Sequence, residues 1–148
     1  MSARGARSIG AIAVSLASGL LGAGCAKFQQ ARECGAFVKT VNAWIARPTP
    51  SASAANDPKA IAAESRRTAQ SYDELSKSLG GLHVQSEELL PRVQRYQEIA
   101  NSAAGTLRDV ADALDHGDLE KARQKRVQFD TVALKEGPLV KEINGLCR

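Results

Sequence analysis

Ser86–Asp115, SEELLPRVQRYQEIANSAAGTLRDVADALD, is the stretch on which the fold turns. Leu89, Val93, Tyr96, Ala100, Ala103, Leu107, Val110 and Leu114 step through it by three and four. That spacing lays one apolar stripe along a single long helix. Ser86 followed by Glu87-Glu88 supplies a start, with acids against the positive end of the helix dipole. Pro91 falls near the first turn, where few hydrogen bonds exist to lose, and predicts a kink at most. His116-Gly117-Asp118 then reads as a tight connection, a glycine stop followed by an aspartate cap.

The same period continues on both sides. Asp57-Pro58 opens a helix with a capping side chain and a proline in the first turn, and Gly80-Gly81 closes it near Leu79. Its seam is Ile61, Ser65, Thr68, Tyr72, Leu75, Leu79 and Leu82. Further upstream, Lys27–Ala46 carries Cys34, Phe37, Val38, Val41, Trp44 and Ile45 at helical spacing. Between these two helices, Arg47–Asn56 with Pro48 and Pro50 reads as an exposed linker. Downstream, a fourth helix from Leu119 carries Ala122, Phe129, Val132 and Ala133. Gly137-Pro138 is expected to bend or break it before Leu139, Val140, Ile143 and Leu146 resume the stripe. Alternating β-branched runs are absent from 25–148. The expectation is an all-α fold: an antiparallel four-helix bundle, up-down-up-down, with a bent or broken last helix.

The first 25 residues follow a different grammar. Arg4 and Arg7 stand without an acid, Ile9–Leu21 is a run of small and aliphatic residues, and Gly22-Ala23-Gly24 leads onto Cys25. A charged start, a short apolar stretch and small residues at a cut describe a secretory signal peptide. With a cysteine after the cut, the segment resembles the lipobox of bacterial lipoproteins. Ala23 and Gly24 match that pattern, while Gly22 stands where the family has an aliphatic residue. The resemblance implies removal of 1–24 and diacylation of the Cys25 thiol. It leaves 25–148 as one helical domain, lipid-anchored in the bacterial cell envelope. Two other readings stay open. A general signal peptidase cutting after Ala26 would leave a soluble secreted or periplasmic protein. Ser8–Ala26 kept uncleaved would be a short anchor, rich in glycine and serine for a membrane span.

Once Cys25 is assigned to a lipid, Cys34 and Cys147 remain as an even pair near the two ends of the domain. An exported chain meets an oxidising compartment, where such a pair is bridged more often than free. The bundle topology agrees, because an even number of antiparallel helices returns the C-terminus to the end where the chain began. Removing Arg4 and Arg7 leaves 18 basic and 16 acidic residues, a balance that argues against nucleic-acid binding. Lys121, Arg123, Lys125 and Arg126 would spread around a helix rather than line one face.

The familiar catalytic constellations are missing from the sequence. His83 and His116 fall in turns at opposite ends of the expected bundle, and His116 suits a helix C-terminus. The Glu-x-x-His pairs of di-iron bundles, Cys-x-x-Cys-His and Gly-x-Ser-x-Gly do not occur. Neither an enzyme nor a cofactor is expected. The reading is a non-enzymatic interaction or structural module at the membrane, with an envelope protein of unknown identity as partner. Two alternatives accompany it. One is a small-molecule-binding or sensing bundle, its pocket walled by Trp44, Tyr72 and Tyr96 beside the small residues Ser65, Thr68, Ala100, Ala103 and Ala104. The other is a periplasmic thiol-redox protein using Cys34 and Cys147.

Overall fold

The computed structural model describes residues 20–47 and 57–148. Residues 1–19, where most of the expected signal peptide falls, the side chain of Cys25 and the expected linker positions 48–56 lie outside that description. The described residues form α-helices joined by turns, with no strand among them. The order is α1 Leu20–Ile45, α2 Pro58–Gly80, α3 Leu90–Asp115, α4 Leu119–Ala133 and α5 Glu136–Leu146, where α4 and α5 are the two arms of the bent last helix.

Antiparallel pairing is written in the contacts. Arg66, early in α2, pairs with Asp112 and Asp115 at the end of α3. Gln97, early in α3, donates to the Ser76 carbonyl late in α2. Lys125 of α4 reaches Asp109 of α3, and Arg95 of α3 reaches Glu142 of α5. The core runs along α3 through Val93, Tyr96, Ala100, Ala103, Ala104 and Leu107, against Ala69, Tyr72, Leu75 and Leu79 of α2. The Ser65, Ala100, Ala103 and Ala104 layer is buried, as close helix packing by small side chains requires.

Local chemistry explains most of the boundaries. Asp57 caps α2 by accepting the Lys59 N–H, and Asp118 caps α4 by accepting the Lys121 N–H. The α3–α4 turn is a Schellman closure: Asp118 N–H bonds the Ala113 carbonyl, Gly117 N–H bonds that of Leu114, and Gly117 takes φ +72°. Gly80 is a close-approach position, since a Cβ there would stand 2.7 Å from the Gln97 amide nitrogen.

Four details differ from the sequence expectation. First, α3 begins at Leu90 rather than just after Ser86. Ser86 instead caps a preliminary turn, its hydroxyl accepting the Leu89 N–H at 3.2 Å, so Pro91 enters at the first helical positions and costs no bond. Second, the last helix breaks at Leu134–Lys135, not at Gly137-Pro138. Pro138 lacks the N–H that would reach the Leu134 carbonyl, so the fault appears one turn upstream of the proline. Third, the α1 stripe is narrower than expected. Cys34, Phe37 and Val41 are buried, while Val38 is 38% and Ile45 62% exposed. Fourth, α1 starts at Leu20, so the helix runs through the position of Cys25 instead of beginning after it.

α1 ends level with Ser71, whose hydroxyl accepts the Trp44 indole N–H at 2.8 Å. It therefore lies along the second half of α2, and its N-terminal turns lead away from the base of the bundle.

Candidate functional site

The base of the bundle concentrates the polar chemistry. It is built from α1 around Gln29–Cys34, the α2–α3 connection and the end of α5. Glu33 is a carboxylate only 8% exposed, and it accepts the backbone N–H of Gln85 at 3.1 Å and of Ser86 at 3.0 Å. Gln29 donates a third bond at 3.0 Å. Burial by itself raises the Glu33 carboxyl, but the Ser86, Gln85 and Gln29 donors outweigh it and hold the group below its ordinary value. The carboxylate thus satisfies two backbone donors of the chain entering α3 and ties that chain to α1.

The adjacent residue makes the second tie. The sulfurs of Cys34 and Cys147 lie at disulfide distance, with the Cα atoms 5.6 Å apart at a sequence separation of 113. The topological argument from an even helix count is met in this arrangement. Gln30 also donates to the Leu146 carbonyl at 3.5 Å. At one level of the bundle, α1 is therefore fastened both to the α2–α3 connection and to the C-terminus.

Two grooves flank this clasp. Gln29 donates to the Gln85 side chain at 2.6 Å, and this pair is the ridge between them. On one side, a groove of about 520 Å³ is lined by Phe28, Arg32, Leu82, His83 and Val84. On the other, one of about 390 Å³ is lined by Ala26, Gln30, Glu87 and Glu88. Phe28 is 67% exposed, an unusual setting for a phenylalanine.

Trp44, Tyr72 and Tyr96 are held in ring contacts. Trp44 leans on Tyr72 at 5.0 Å between centroids, and Tyr72 meets Phe129 edge-on at 6.1 Å. Tyr96 meets Phe37 edge-on at 5.6 Å, and its hydroxyl donates to the Glu136 carboxylate. Burial first, and then Glu136, pushes the Tyr96 hydroxyl far above its ordinary value; Tyr72 is raised by burial and by the charge of Glu136. Phe37 and Phe129 complete the aromatic contacts around these three rings. The four described surface grooves are lined by other residues, including a third of about 400 Å³ beside Arg95, Ile99 and Lys135 and a fourth of about 320 Å³ beside Ile61, Leu114 and Arg126.

The histidines stand apart. His83 is exposed in the α2–α3 connection, and His116 closes α3, its Nδ1 2.7 Å from the Asp112 carbonyl. Among the described residues, no group of three or more His, Cys, Asp and Glu side chains converges as a metal site. Glu33 is the residue that sequence reasoning missed. Its signal was available, because Glu33, Phe37 and Val41 step by four and place a carboxylate in line with a buried stripe. No family model, curated protein or solved structure matches this chain.

Proposed function

We propose that the chain is a membrane-anchored lipoprotein of the bacterial cell envelope, acting as a non-enzymatic interaction or structural module. The observation that carries this reading is the arrangement at the base. Cys34 and Cys147 stand at disulfide distance at the same end of the bundle from which α1 leads back to the position of Cys25. Cys25 precedes Glu33 by eight residues, about 12 Å of helix at 1.5 Å per residue. A lipid there holds the bundle on a short helical stem, not on a flexible stalk. A bridged pair fits an oxidising compartment, and a cleaved signal delivers the chain to one. The two arms of the account, lipid and bridge, therefore call for the same location. No helix of the described residues is long and apolar enough to cross a membrane.

Metabolic labelling with an alkyne fatty acid in a bacterial host tests the anchor. The wild-type chain takes up label and fractionates with membranes, whereas Cys25→Ser takes up none. Equal labelling of both chains, or none of either, contradicts the reading.

A further inference from the structure

We propose that the groove lined by Phe28, Arg32, Leu82, His83 and Val84 is a contact surface for anionic phospholipid headgroups; the proposal rests on the anchored reading above. Three observations carry it. The groove joins an exposed phenylalanine to two half-buried aliphatic side chains in a connection between helices. Arg32 and the His83 imidazole sit in the same groove, and Lys27 is exposed one residue before Phe28. The exposed acids of the base, Glu87 and Glu88, line the other groove, across the Gln29–Gln85 ridge. Glu33 also lines the first groove, with its carboxylate taken up by the Gln29, Gln85 and Ser86 donors, so the exposed charge there is basic while the exposed carboxylates lie in the other groove. An apolar body with a cationic rim matches the boundary between acyl chains and a negatively charged headgroup layer.

Position agrees with chemistry. Arg32 follows Cys25 by seven residues, about 10 Å along α1, and a long guanidinium side chain reaches back towards the interface from there. Glu33 is saturated by Gln29, Gln85 and Ser86, so it does not compete for Arg32 as an open carboxylate. The clasp at Glu33 also fixes the α2–α3 connection against α1, which holds Leu82, His83 and Val84 beside Phe28. The charged groups facing the membrane are thereby positioned by a buried hydrogen-bonded carboxylate.

The test uses the full chain recovered from membranes and placed in nanodiscs of phosphatidylcholine, with or without phosphatidylglycerol. A fluorophore is attached at Val84→Cys, and the lipid carries a headgroup nitroxide quencher. Phe28→Cys is a second labelling site in case the loop variant folds poorly, and Lys121→Cys at the far end of the bundle is the control. The expected result is quenching at 84 with none at 121, deepened by phosphatidylglycerol, with that deepening lost in Arg32→Glu. A label at 84 as unquenched as the one at 121 overturns the proposal, as does quenching indifferent to phosphatidylglycerol. Intact mass on the same samples separates the two claims. Acylated protein with an unquenched 84 label sinks the groove alone, and quenching without acylation sinks the anchor while the groove stands.

Discussion

The Glu33 carboxylate accepts the backbone N–H of Ser86 at 3.0 Å across 53 residues of sequence. With Gln85 beside it, the contact joins α1 to the chain entering α3, and it does so immediately next to Cys34. One buried acid and one cysteine thus hold the first helix at the base, while Trp44 on Ser71 and Arg47 on Glu74 hold its other end.

Glu33→Gln tests the clasp. An amide keeps the shape but turns an NH2 group towards donors, leaving one backbone N–H without its partner. Hydrogen bonds to a charged group contribute about 1.5–3 kcal/mol, and urea unfolding at pH 7 is expected to show a loss of that size. The pH dependence has a definite sign. Because the folded carboxyl lies below its ordinary value, its contribution is complete above that value and fades as pH falls through the folded one. Wild type and variant therefore converge in acid, and a gap that stays constant down to pH 3 contradicts the clasp.

Reduction, or the Cys34→Ser and Cys147→Ser pair of substitutions, opens a loop of 113 residues. The chain-entropy estimate for such a loop is about 4–5 kcal/mol, usually less in practice. The expected outcome is a lower urea midpoint with helical circular dichroism retained in the absence of urea, since α2, α3 and α4 keep their own core. An unchanged midpoint after reduction contradicts a structural bridge and favours an exchanging pair.

Two glycines should respond with opposite signs. Gly117 holds φ +72°, so Gly117→Ala strains the turn and costs about 1 kcal/mol. Gly105 lies inside α3, and a Cβ there meets nothing within 4 Å. Gly105→Ala is expected to add about 0.5–1 kcal/mol of stability through helix propensity. Thermal melts of the two variants read the difference directly.

Ala104→Leu distinguishes a packed layer from a ligand pocket. Ala104 is fully buried, and overfilling a close-packed core costs typically about 1–3 kcal/mol. A destabilised variant supports close packing between the middle helices. Leucine accommodated at no cost would mean open volume there, and would revive the small-molecule reading built on Trp44, Tyr72 and Tyr96.

The helices were legible because their apolar residues repeat at the helical period and their ends carry chemistry of their own, as at Asp57-Pro58 and Gly117-Asp118. The bend was legible in kind but not in place. Gly137-Pro138 marks the cause, whereas the break falls at Leu134, one turn before a proline that has no N–H to offer its carbonyl. Val38 and Ile45 were expected in the core because hydrophobicity alone does not say how wide a face the neighbouring helices cover. Glu33 and Glu136 were not foreseen, for a related reason. A carboxylate becomes structural through partners distant in sequence, such as the Ser86 N–H and the Tyr96 hydroxyl, which no local pattern announces.

The most direct test of the central claim is the intact mass of the protein recovered from a bacterial membrane fraction, unreduced and then reduced. The account predicts the mass of Cys25–Arg148 plus acyl chains, rising by two hydrogens on reduction. An unacylated species beginning at Lys27, or the mass of the full uncleaved chain, would contradict it.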